Sequence, residues 1–316
     1  MNDTLLEVHD LRTSIGDLDV LRGVSFTIAP GETVGLVGES GSGKSFTALS
    51  LMGLLPEAAR VTGGRIRYEG RDVHALPERE RRALRGAGIA MIYQEPLTAL
   101  NPLMRVGAQI LEGLAAHGVT GDTARRRMLA ALDEVGLPTP ERTARRYPHQ
   151  LSGGQRQRIV IAMALAMRPR LLIADEPTTA LDVTVQQQIL TLVDQLRRDH
   201  GLAVLWITHD LGVVARLTRR VMVMYAGRIV EDAPVHDLFK DPQHPYTAGL
   251  IASLPPARGA ERAPLPAIGG TPPDLAALPP GCPFAPRCPQ RTDRCTAEEP
   301  ALTHRAACWV PKESWT

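Results

Sequence analysis

A chain of 316 residues can bury one large core or two ordinary ones, and a formal net charge of only +2 gives no sign of the strong basic field of a nucleic-acid-binding domain, so no nucleic-acid partner is expected. The longest uninterrupted apolar run, the nine residues from Ile159 to Met167, is far short of the roughly 18–20 that a membrane-spanning helix needs. Residues 1–20 lack a charged start followed by an apolar run, so the chain is expected to stay in the cytosol.

In chain order, "LLEVHDL" and "GVSFTIAPG" in the first 30 residues read as short strands on an antiparallel edge. "ETVGLVG" (32–38) is a buried strand, followed by a Gly-rich loop and an apolar helix over residues 46–55. After the strand "GIAMIYQ" (88–94), helical patterns take over, with apolar residues at three- and four-residue intervals in "VGAQILEGLAAHG" and "TARRRMLAALDEVGL". This predicts a helical subdomain at about residues 95–150. Two further strands, "RLLIADE" (170–176) and "LAVLWITHD" (202–210), alternate with helical stretches, which predicts an α/β domain with a largely parallel sheet over 1–240. Near residue 240 the composition shifts. Fifteen of the 26 prolines lie between Pro242 and Pro311, so regular helices and strands are expected to stop, leaving residues 241–316 as an irregular extension. The basic runs at 79–85 and 125–127 read as solvated helix faces. No period of 20–50 residues repeats, so the chain reads as one unit rather than a fused pair.

"GESGSGKS", Gly38 to Ser45, fits G-x-x-x-x-G-K-[ST], between a strand and a helix. In such a loop (Gly38, Glu39, Ser40, Gly41, Ser42, Gly43, Lys44, Ser45, with Phe46 opening the helix) successive N–H groups and the helix dipole face phosphate. Lys44 then serves the β- and γ-phosphates, and the Ser45 hydroxyl serves Mg²⁺. "RLLIADEP" ends a buried strand in Asp175, suited to Mg²⁺, and Glu176, suited to take a proton from attacking water. His209 follows the strand of "WITHD"; alone, such a histidine is more often structural than functional. Ser152, Gly153 and Gly154 stand just before a helix and form a second N-terminal anion site.

With "LSGGQ" (Leu151 to Gln155) included, the chain resembles the ATP-binding-cassette ATPases. The resemblance implies a P-loop NTPase (RecA-like) core with a mainly parallel sheet, an antiparallel edge sheet, a helical subdomain and a Cys/Pro-rich C-terminal extension. It makes Leu151–Gln155 the signature sequence, Gln94 the Q-loop residue and a Mg²⁺ ligand, Ala180 to Asp182 the D-loop, and His209 the switch histidine. It also implies a head-to-tail cassette dimer in which one subunit's signature closes on ATP held by the other's loop. Where the family usually has an aromatic residue to stack on adenine, this chain has Ile15, so weaker base discrimination is expected.

"QEPLTALNPLMRVGAQI" (94–110) and "HPYTAGLIASLP" (244–255) are similar to the peptide and nickel importer branch. The resemblance implies an ATPase subunit that energises import of peptides or a related small solute from the cytoplasmic face of the inner membrane. Its implied partners are a second cassette, identical or homologous, two permease subunits and, indirectly, an extracytoplasmic binding protein. Two other classes share the core motifs. Repair and chromosome ATPases insert long coiled coils where only 105 residues separate Ser45 from Leu151, and ribosome-acting cassettes commonly carry two units per chain.

All four cysteines, Cys282, Cys288, Cys295 and Cys308, fall in the last 35 residues. In a reducing cytosol they read as metal ligands or plain thiols before disulfides. None of their spacings is the C-x2-C of a zinc ribbon. Zinc and free thiols stay open on the residues alone, and the resemblance implies a structural 4Fe–4S iron–sulfur cluster.

Overall fold

The computed structural model describes residues 4–93, 99–178, 182–254, 266–310 and 312–315. Its strands, in chain order, are β1 (Leu6–Ile15), β2 (Leu18–Ile28), β3 (Thr33–Val37), β4 (Ala59–Tyr68), β5 (Arg71–Asp72), β6 (Ile89–Ile92), β7 (Leu171–Asp175), β8 (Ala203–Thr208), β9 (Arg220–Tyr225) and β10 (Arg228–Pro234). The chain divides into two compact units. One comprises Met1–Leu5, Ala29–Glu32 and Ala75–Leu205; the other comprises Leu6–Ile28, Thr33–His74 and Trp206–Thr316.

In the unit that holds the Gly-rich loop, all five residues of β3 are buried, as expected of a strand covered on both faces. It runs parallel to β9, with Val34 opposite Arg220 and Val37 opposite Val223. Strands β9 and β10 form an antiparallel hairpin whose two-residue tip, Ala226 and Gly227, has positive φ at both positions. A tight turn that matches the right-handed twist of its strands requires this. The helix leaving the loop spans Lys44–Met52 rather than 46–55. Gly53 ends it in the left-handed conformation and donates its N–H back to the last turn.

The expected short antiparallel edge is corrected: β1 and β2 are 10 and 11 residues long and form, with β4 and β5, a separate sheet of order β2-β1-β4-β5. Strand β4 was not foreseen because "ARVTGGRIRY" carries two glycines and several charges, with burial confined to its last residues.

The expectation that regular structure stops near residue 240 is also corrected. A helix runs Pro245–Ala252, with Pro245 in its first turn, where a missing N–H costs nothing, and a shorter one runs Asp293–Ala297. Among the described residues the rest of this segment forms 3₁₀ turns, including Ala285–Arg287, isolated bridges at Ala306 and irregular chain. Tyr246 and Phe284 are buried in the same cluster as Val37, Val214, Val221 and Val223. Their rings and that of Tyr225 lie 4.6–5.4 Å apart by centroid, within the range of favourable aromatic contact.

In the other unit, β6 runs parallel to β7, with Ile89 opposite Leu171 and Ile92 opposite Ala174. Where helical patterns were expected, the chain forms helices Val106–Ala116, Gly121–Glu134 and Pro140–Ala144, followed by Gly153–Leu165, which buries Ile159, Ile161 and Ala162. Both basic runs lie on solvated helix faces. Arg81, Arg82 and Arg85 of helix Glu78–Ala87 share the exposed Glu78 carboxylate, and Arg125 to Arg127 are exposed. Among the described residues no helix is long and apolar enough to cross a membrane.

Candidate nucleotide-binding site

Strand β3 delivers the chain to Gly38, and the loop turns back into helix Lys44–Met52. Lys44 is 6% exposed, and its Nζ donates to the Gly38 and Glu39 carbonyls at 2.8 and 2.9 Å. Gly43 has φ +105°, and a Cβ there would lie 2.9 Å from both Leu21 Cδ2 and Met224 Cε, so only glycine fits this turn. The Gly227 N–H donates to Ser42 O at 2.9 Å, which anchors the loop from the β9–β10 hairpin. Ser42 Oγ is buried and makes no hydrogen bond among the described residues. Ser40, Gly41 and Ser45 are exposed, while Phe46 is half-buried at the start of the helix. A cradle of N–H groups, an ammonium, a solvent-facing Ser45 hydroxyl and an unsatisfied hydroxyl is a donor set that fits an oxygen-rich anion and its cation.

Glu39, part of the loop pattern, is held by residues that the pattern does not contain. Its carboxylate receives a two-pronged hydrogen bond from Arg287, at 2.7 and 3.0 Å, from 248 positions away. Its N–H donates to Tyr246 Oη at 2.9 Å.

In the other unit, Asp175 ends β7 with its carboxylate buried, 5% exposed. A buried carboxylate is costly without cations or donors nearby, so this position fits a cation ligand. Glu176 follows with φ +45°, a left-handed conformation that a non-glycine residue adopts only at a cost. Ser152 and Gln155 form a capping box. Ser152 Oγ accepts the Gln155 N–H at 3.3 Å, and Gln155 Oε1 accepts the Ser152 N–H at 3.1 Å. The S-x-x-Q spacing is the signal that would have disclosed this box. Ser152 and Gly153 remain exposed at the helix start. A Cβ on Gly154 would lie 2.8 Å from Val185 Cγ1, so this helix start and that of Val183–His200 approach closely. Asp182 caps the latter, its Oδ1 accepting the Val185 N–H at 2.9 Å.

His209 is exposed just past β8. Its neighbours fix the chain there: Asp210 donates its N–H to Thr208 Oγ1, and its carboxylate accepts the Gly212 and Val213 N–H groups. Ile15 is the last residue of β1 and 36% exposed, so an apolar side chain is on the surface where the adenine contact was expected. Gln94 and Ala180 lie outside the described residues.

The four cysteines are free thiols. Burial pushes Cys282 and Cys288 up to about 11, with the neighbouring Cys295 thiol adding to each, and burial also raises Cys308. The Cys282 N–H donates to Cys295 O at 2.8 Å. Four sulfur donors suit a thiolate-bound metal group, but their placement does not form one: among the described residues no three His, Cys, Asp or Glu side chains are gathered to hold a metal ion.

The family described as "ABC transporter" matches residues 21–179, and "Oligopeptide/dipeptide transporter, C-terminal region" matches residues 230–295. The chain belongs to the ABC transporter ATPases, the ATP-hydrolysing subunits of these transporters. It is 50% identical over 321 residues to the dipeptide transport ATP-binding protein DppD of Bacillus subtilis (strain 168), covering 98% of this chain and 95% of that protein. It is likewise 50% identical over 322 residues to the oligopeptide transport ATP-binding protein OppD of Salmonella typhimurium, with 98% and 95% covered. A dimeric, post-hydrolysis structure of the ATP-binding cassette MJ0796 bound to ADP and Pi superimposes with a TM-score of 0.64 at 29% identity, covering 73% of this chain and 98% of that one.

Proposed function

We propose that this ATPase energises import of peptides, or a related small solute, through a membrane permease. The observation that carries the nucleotide assignment is the Gly38–Ser45 loop, closed by Lys44 on its own carbonyls and anchored through Ser42. The solute assignment rests on the two peptide-transport relatives and the C-terminal family match.

In this reading the loop N–H groups and Lys44 hold the triphosphate, with Phe46 and Ile15 beside the nucleoside. Glu176 accepts a proton from the attacking water as the water's oxygen bonds to the γ-phosphorus and the bond to ADP breaks. His209 orients that water, a role the resemblance also gives to Gln94. Ser45, Gln94 and Asp175 would hold Mg²⁺, which would neutralise phosphate charge when bound. The exposed, capped start of helix Gly153–Leu165 (Ser152, Gly153, Gly154, Gln155) and the adjoining Asp182 meet ATP held by a second cassette. The dimeric state of the similar cassette MJ0796 supports the pairing of two cassettes. Binding then favours the closed pair, and loss of the γ-phosphate contact reopens it.

The subunit works at the cytoplasmic face of the inner membrane, with two permease subunits and, indirectly, an extracytoplasmic binding protein. Residues 1–240 form the ATPase domain and 241–316 an appended segment. For that segment the 4Fe–4S reading rests on the resemblance and on four cysteines within 27 residues of one another in sequence, not on their placement, which gathers no metal-holding group among the described residues. The test is purification with co-purifying membrane subunits and ATPase assay with and without them, followed by iron, sulfide and zinc analysis. Stimulation by the permease complex in the presence of peptide supports the function; a lone subunit running at full speed overturns it. Zinc, or no metal, after anaerobic preparation overturns the cluster.

A further inference from the structure

We propose that Arg287, acting through Glu39 and alongside Tyr246, is a positioning residue for the phosphate-binding loop. The proposal rests on the nucleotide-site reading of Gly38–Ser45. The peptide group joining Gly38 to Glu39 donates its N–H to Tyr246 Oη at 2.9 Å, and its carbonyl accepts Lys44 Nζ at 2.8 Å. In a planar trans peptide those two vectors point in opposite directions. Fixing the N–H on Tyr246 therefore fixes the direction in which the carbonyl offers itself to the lysine.

The next carbonyl, that of Glu39, accepts the same Nζ at 2.9 Å. Rotation of Glu39 about its backbone would move both acceptors. The Glu39 side chain is what Arg287 holds, through two parallel N–H···O bonds at 2.7 and 3.0 Å. A paired fork on a carboxylate fixes orientation as well as distance.

Arg287 is itself rigid. Its side chain is 5% exposed, its Nε donates to Gly269 O at 2.9 Å, and a guanidinium N–H reaches Tyr225 Oη at 3.3 Å. Tyr246 is fully buried, and its phenol is held above its usual range chiefly by burial, so it stays a neutral hydroxyl. The loop thus receives its ammonium geometry from two side chains of the C-terminal segment, which the loop pattern itself does not contain. Arg287 belongs to the 3₁₀ turn Ala285–Arg287 and is followed directly by Cys288, so it lies between two of the cysteines in sequence.

The experiment uses the full chain with ATP and Mg²⁺, measuring Kd by equilibrium titration, KM and kcat by steady-state hydrolysis, and Tm by calorimetry. Arg287→Met is expected to raise Kd and KM for ATP about tenfold, the scale of one lost charged hydrogen-bonded contact, with kcat changed less than about twofold. Arg287→Lys, which keeps charge but not the fork, should fall between. Glu39→Gln should weaken binding similarly, and the double variant Glu39→Gln/Arg287→Met should be no worse than either single one. Tyr246→Phe, which keeps the packing, should shift Kd in the same direction. A lowered Tm with unchanged Kd and KM in Arg287→Met, or additive losses in the double variant, would make the pair a mere strut and overturn the proposal. Failure of the wild-type chain to bind ATP would remove the site reading, and this one with it.

Discussion

Glu176 occupies a left-handed backbone position immediately after a buried strand, and its carboxylate is the proposed proton acceptor. Glu176→Gln keeps the side-chain shape and removes the basic oxygen. ATP binding should persist while kcat falls by about 10²–10⁴, and a closed cassette dimer should accumulate on size exclusion with ATP. Ordinary turnover in that variant would take the role from Glu176. Residues of this kind were legible because phosphate chemistry fixes both residue type and local spacing: one loop of eight residues writes its own pattern. The grip on Glu39 was not legible, because its partner lies 248 positions away and an arginine in a proline-rich segment carries no local signal.

At the scale of single elements, helix Gly153–Leu165 begins with the Ser152–Gln155 box. Ser152→Ala removes the acceptor for the Gln155 N–H and should cost about 1 kcal/mol in thermal or denaturant unfolding. Helix Pro245–Ala252 is capped by His244, whose Nδ1 accepts the Tyr246 N–H at 3.1 Å. Burial pulls that imidazole down to about 3, against 6.5 in an exposed one. The unfolded chain therefore takes up a proton that the folded one refuses, so the stability present above pH 6.5 is lost as pH falls towards 3, with a slope of up to about 1.4 kcal/mol per unit. Glu231, which accepts the His244 N–H and is raised by burial, opposes this only in and above the carboxylate range. Tm should drop between pH 6.5 and 5, and His244→Asn should flatten that drop; an unchanged slope would remove His244 as its source. The strands β3, β6, β7 and β8 were readable as continuous apolar runs. Strand β4 and the helix at Pro245 were not, because glycines, charges and prolines outvote pattern in a local reading while tertiary partners decide the outcome.

For the molecule as a whole, the described part of residues 241–316 is poor in regular structure yet contributes Tyr246 and Phe284 to a core shared with Val37 and Val223. Each such aromatic side chain is worth about 1.5–3 kcal/mol when buried. A chain ending at residue 240 should therefore be insoluble or unfold at markedly lower temperature, rather than behave as a trimmed cassette. Soluble expression of that truncation with an unchanged Tm would contradict this. The cysteine segment was foreseen as a separate appendage because composition changes so sharply near 240, but composition does not report which aromatic side chains reach back into the sheet.

The tip of the β9–β10 hairpin is only two residues long. Its Gly227 N–H holds Ser42 O, and its Gly227 and Ala226 carbonyls accept the Arg22 N–H and guanidinium, while Arg22 is itself clasped by Glu299. One extra codon between Ala226 and Gly227 would reverse which peptide groups face each side of the turn, detaching Ser42 and Arg22 together. Length variation among kindred proteins should therefore bypass this tip and collect in the bends elsewhere.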